Sequence, residues 1–156
     1  MPWTRPRIAL VACAGVSALA MLYVGLFQIG WLRGLACPGF GSGCESVALA
    51  SFSFPLGLAD GLLAAALAGL IAAAAQIEGK EAAVVLVVLG FTNLLAYLIA
   101  LLEMQKFGAW CLWCVLAALL AVPIAVLAPI CARASERSSD AARPAVAPDD
   151  QAQKGD

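Results

Sequence analysis

Charged residues divide this 156-residue chain into long apolar blocks. Residues 8–32, 82–102 and 107–132 carry no charge, and residues 55–77 carry only Asp60. Each block reaches the roughly 20 residues that cross about 30 Å of hydrocarbon at about 1.5 Å per residue. In lipid the backbone must satisfy its own hydrogen bonds, so the blocks predict helices. The strict alternation of a barrel strand is absent. Four spans follow, near 8–30, 55–77, 82–102 and 108–130. The expected fold class is an all-α integral membrane protein, a four-transmembrane-helix bundle. The first block is longer than the roughly 7–15-residue apolar region of a cleaved signal peptide, so it reads as a retained helix.

Charge sets the orientation. An even number of spans puts both termini on one side, together with Arg5, Arg7, Lys80, Arg133, Arg137 and Arg143. The other side holds only Arg33 and Lys106. The positive-inside rule makes the first side cytoplasmic, with the 31–54 loop and the 103–107 turn facing outward. Trp3, Trp31, Trp110 and Trp113 fall near the expected interfaces, where tryptophan anchors helices. Residues 133–156 turn polar and read as a disordered cytoplasmic tail. The expected organisation is a cytoplasmic N-terminus at 1–7, a membrane domain at 8–132 and the tail. Gly57 and Gly61 stand four apart, a small-residue spacing that lets helices pack closely.

Composition narrows the chemistry. The chain is 63% hydrophobic and 12% charged, against about 25% charged in soluble domains. A net charge of −1 excludes the basic stripe of a nucleic-acid binder. Histidine is absent, which removes His-ligated haem, His-containing zinc sites and Ser-His-Asp triads.

Chemistry then rests on six cysteines. Cys37 and Cys44 lie in the outer loop within "CPGFGSGC", and Cys111 and Cys114 lie in "WCLWC" at the outer end of the last span. These form two pairs on the oxidising side of the membrane. The glycine-rich 37–44 segment can close a structural disulfide or a mobile, exchangeable one. Cys111 and Cys114 stand at i, i+3 at a helix start, where the partial positive charge favours a thiolate. Haem attachment is excluded because Val115 follows Cys114. Four thiolates binding a soft metal is the competing chemistry, although the 37–44 spacing is unlike a zinc knuckle. Cys13 and Cys131, toward the cytoplasmic face, read as inert buried thiols.

Four helices, "GSGCESV" after the first, "PLGLADG" leading into the second and "WCLWC" at the fourth resemble the bacterial vitamin K epoxide reductase (VKOR) family over residues 8–130. The DsbB family carries its two outward pairs in the reverse order. The resemblance implies a quinone-dependent thiol oxidase of the bacterial inner membrane, with its redox site on the periplasmic side. Cys37 would meet the partner, Cys44 would relay to Cys111, and Cys114 would face the quinone, ubiquinone or menaquinone. With no fused thioredoxin-like domain in so short a tail, a separate periplasmic DsbA-like partner of thioredoxin fold is implied. The stretch Gly57-Leu58-Ala59 departs from the family's Gly-x-Pro. Ala118 stands where the animal enzymes have tyrosine, so vitamin K epoxide reduction is not expected.

The remaining polar residues of the spans supply the expected quinone contacts. Asp60, the sole charge inside a span, could give a proton or hydrogen bond to a quinone oxygen. Ser53, Tyr97 and Trp113 are further candidates. Thr92 and Asn93 read as interhelical hydrogen-bond formers. The alternative function is a membrane transporter of mercury or copper, in which Cys13 and Cys131 would also take part.

Overall fold

The structure, a computed structural model, describes residues 4–39 and 41–141. All regular structure among them is helical. The elements are α1 (Arg5–Gln28), α2 (Gly43–Ala48), α3 (Asp60–Ala74), α4 (Lys80–Phe107) and α5 (Leu112–Ala141). Helices α1, α4 and α5 are each long and apolar enough to cross a membrane. Leu19, Val84, Leu95 and Leu119 are more than half exposed on their outer faces. So much large apolar surface is unusual on a soluble monomer, and it marks the chain as a membrane protein.

Local sequence explains the helix ends. Pro6 sits in the first turn of α1, where its missing N–H costs nothing. The helix expected from residue 55 begins instead at Asp60, giving α3 only 15 residues. Pro55–Gly57 forms a 3-10 turn in which Gly57 has φ +78, and Ala59 is extended. A left-handed residue followed by extended backbone cannot lie inside an α-helix. Helix α4 closes at Gly108 in left-handed conformation.

Helix α5 runs on to Ala141, through the first part of the segment expected to be disordered from residue 133. Residues 133–141 read RASERSSDA, and their Ala, Arg and Glu favour continuation. The rest of the expected tail, 142–156, and Trp3 lie outside the described residues.

Helix α4 lies along α5, and α1 packs against both α3 and α5; α3 and α4 meet less extensively. A Cβ on Gly61 would fall 2.6 Å from the Gly25 nitrogen, so two bare backbones touch where α3 crosses α1. Of the two glycines whose spacing suggested close helix packing, Gly61 alone makes the close approach, against Gly25. Gly57 has open space around it.

The core forms two apolar clusters. One holds Leu10, Ala14, Ile71, Leu86, Ile124, Ala128 and Cys131, with Cys13 packed against it. The other holds Met21, Val24, Cys44, Tyr97, Met104, Cys111 and Cys114, with Cys37 and Trp113 packed against it. The cysteines thus sort into two groups along the bundle.

Candidate redox site

The 31–42 loop is fixed to the bundle through its backbone. The Ala36 N–H donates to the Tyr23 hydroxyl at 3.0 Å, and the Ala36 carbonyl accepts from the Trp113 indole N–H at 2.8 Å. The two rings meet edge to face with centroids 5.2 Å apart. The Leu35 N–H donates to the Glu45 carboxylate at 3.1 Å. These bonds deliver Cys37 to the start of α2, where it is disulfide-bonded to Cys44 with Cα atoms 5.8 Å apart. Cys37 is half-buried and Cys44 is fully buried. Only the first is placed to meet an incoming thiol.

Cys44 is held against the start of α5. A Cβ on Gly43 would lie 2.6 Å from the Trp110 carbonyl oxygen, so only glycine permits this approach. The first N–H groups of a helix have no partner within the helix. Here two of them point at sulfur. The Leu112 N–H donates to Cys44 Sγ at 3.3 Å, and the Cys114 N–H donates to Cys111 Sγ at 3.4 Å. Cys111 immediately precedes α5, and its carbonyl accepts from the Val115 N–H at 2.9 Å. Cys111 and Cys114 are buried free thiols. Cys44 and Leu112, 68 residues apart in sequence, thereby meet, and the Cys37–Cys44 disulfide is packed at the helix start that carries Cys111 and Cys114.

Beyond Cys114 lies a cavity of about 400 Å³ walled mainly by Met21, Phe52, Leu63, Leu67, Ala96 and Ile99. Asp60, Asn93, Tyr97 and Glu103 bring polar atoms to it. Asp60 is held by Gln28, whose amide nitrogen is 2.5 Å from Oδ1 and also donates to the Ala48 and Ser53 carbonyls. Gln28 Oε1 accepts from the Gly61 N–H at 3.0 Å. One side chain therefore ties α1, the end of α2, the turn at Ser53 and the start of α3 together. The Tyr97 hydroxyl is 3.5 Å from that of Ser17.

The structure separates the expected quinone contacts. Asp60 and Tyr97 line the cavity. Ser53 does not; it is buried and its hydroxyl donates to the Val47 carbonyl at 2.7 Å, closing a turn. Trp113 points the other way, toward Tyr23 and the loop, and borders a shallow groove with Val16, Leu19 and Leu116. Thr92 is exposed, and among the described residues the Asn93 side chain has no hydrogen-bond partner. The expected interhelical bonds of both are therefore absent. Thr92 sits on the outer face of α4, while Asn93 has apolar neighbours and the cavity before it.

Gln28, Tyr23 and Gly43 were not singled out from sequence. Gln28 is the only carboxamide in residues 8–30, a signal of a polar bond inside the bundle. Tyr23 and Gly43 carry no comparable mark.

Among the described residues, no group of three or more Cys, Asp or Glu side chains converges as a metal site requires. Cys13 and Cys131 belong to the other apolar cluster. No family model matches the chain, and neither a curated protein nor a solved structure is similar to it.

Proposed function

We propose that this chain is a quinone-dependent thiol–disulfide oxidoreductase that reoxidises a periplasmic thioredoxin-fold, DsbA-like partner in a bacterial inner membrane, as its resemblance to the VKOR family implies. In this reading α3 is the second of four spans and both termini are cytoplasmic. The observation that carries the proposal is that the Cys37–Cys44 disulfide, with Cys37 half-buried, packs against the start of α5, which holds Cys111 and, beside the cavity, Cys114.

The partner's thiolate attacks Cys37 and releases Cys44 as thiolate. The partner's second thiol then resolves the mixed disulfide, leaving the partner oxidised and Cys37 and Cys44 reduced. Cys44 next attacks Cys111 of a Cys111–Cys114 disulfide, and Cys114 leaves as thiolate. Cys37 attacks Cys44, restoring the outer disulfide and freeing Cys111. The two N–H groups at the start of α5 stabilise the charge that passes between these sulfurs. The Cys111–Cys114 dithiol finally gives two electrons and two protons to the quinone, closing its disulfide and forming quinol.

Quinone supplies the oxidising power; the chain supplies position and a dry wall. The cavity is apolar along most of its lining and adjoins the lighter contact between α3 and α4, which suits a ligand arriving from lipid. The test is to give the purified protein a reduced DsbA-type protein and a short-chain quinone. Stoichiometric loss of partner thiols and quinone absorbance supports the proposal. Partner oxidation without quinone reduction refutes it.

A further inference from the structure

Asn93 is the one side chain whose buried polar atoms, both Nδ2 and Oδ1, lack a partner among the described residues. It is fully buried on α4 and lines the cavity beside Cys114. A carboxamide carries donors and an acceptor, and leaving both unmet in an apolar interior is costly. Asn93 cannot readily turn toward another group. One helical turn away, a Cβ on Gly90 would already lie 3.1 Å from the Ala128 side chain, so α4 is seated closely on α5. The nearest polar residue on the same face, Tyr97 at i+4, has its hydroxyl directed to Ser17. Ala96 and Ala100 on that face leave room in front of the amide.

We infer that Asn93 is the group that binds the oxygen of the quinone headgroup and fixes the ring in the cavity beside Cys114. The inference rests on the quinone-reductase reading above and adds a residue to it. A quinone carbonyl only accepts hydrogen bonds, whereas the quinol hydroxyl formed from it also donates. A carboxamide meets both states: Nδ2–H donates to the carbonyl, and Oδ1 accepts from the hydroxyl after reduction. Asn93 transfers no proton and changes no oxidation state. It orients the ring while Cys111 and Cys114 supply the electrons.

The experiment compares the full-length wild type with Asn93→Leu, and with Asn93→Ala in case leucine is not accommodated. The probe is ubiquinone-1, carbonyl-labelled with carbon-13 for infrared difference spectra. The expected result is a KM for ubiquinone-1 raised about tenfold, the size of one lost hydrogen bond. A downshifted carbonyl band of the bound quinone should disappear in both variants. Exchange between the reduced partner and Cys37–Cys44 should keep its wild-type rate. The unliganded leucine variant should melt no lower than wild type, because an unmatched amide has been replaced by a similar apolar volume. A wild-type KM and an unchanged carbonyl band in the variants overturn the assignment of Asn93 alone. So does a lowered melting point with unchanged KM, which marks a packing role. If the wild type neither binds nor reduces ubiquinone-1, the quinone-reductase reading fails, and this inference with it.

Discussion

At the scale of residues, the two close cysteine pairs, Cys37 with Cys44 and Cys111 with Cys114, stood out in the sequence, and the structure packs them into one cluster. Their order of contact came only from the family resemblance and not from the spacing. It depends on Gly43 meeting the Trp110 carbonyl and on the Leu112 N–H reaching Cys44, contacts between segments far apart in sequence. A Cys37→Ala, Cys114→Ala protein should accumulate a Cys44–Cys111 disulfide, read by mass spectrometry of non-reduced peptides. Dominance of any other pairing would refute the relay. Asp60 was visible as a lone charge, but the residue that holds it, Gln28, was not. Asp60→Asn keeps the shape and loses the proton. It should slow quinone reduction about 10²–10⁴-fold while partner exchange with Cys37 stays normal, as single-turnover absorbance would show. Trp113 and Ser53 show the limit of such reading. Polar atoms near the cysteine pairs suggested ligand contacts, yet both hydrogen-bond to the backbone of neighbouring segments, Ser53 to Val47 and Trp113 to Ala36.

At the scale of elements, apolar blocks located the long helices well, since each must bury its backbone polar groups internally. Their ends were set by local breakers that hydropathy ignores. Pro55, Gly57 and Ala59 delay α3 to Asp60, and α5 outlasts the apolar block through helix-forming polar residues. Helix α2 was not foreseen; its six residues are too few for a periodic signal. Its placement is nevertheless what joins the two cysteine pairs. Gly43→Val should push α2 away from the start of α5. Reduction of Cys37–Cys44 by the partner should survive, but transfer to Cys111 should slow by about tenfold or more, since a displacement of about 1 Å can cost 10²-fold. Stopped-flow reduction of each pair, followed separately, would check this; equal slowing of both steps would contradict it.

For the whole molecule, the two apolar clusters divide the cysteines into one group, Cys37, Cys44, Cys111 and Cys114, and a second, Cys13 and Cys131, packed among leucine, isoleucine and alanine. The proposed orientation has a direct consequence. After reduction of intact cells, an impermeant maleimide should label Cys37 or Cys44 and leave Cys131 unmodified; labelling of Cys131 alone would invert the topology. The bundle also carries an unequal set of lengths. Helix α3 has 15 residues, or about 22 Å at about 1.5 Å per residue, against about 30 Å of hydrocarbon. As the second of four spans it is mismatched, and one adjustment is a local thinning of the bilayer beside it. Leu63 and Leu67 of α3 form one wall of the cavity, so the thinned annulus lies where a lipid-soluble ligand would enter. Turnover in vesicles should then rise as acyl chains are shortened toward the length of α3 and fall in thick, saturated bilayers. The membrane's own thickness would set the supply of oxidant.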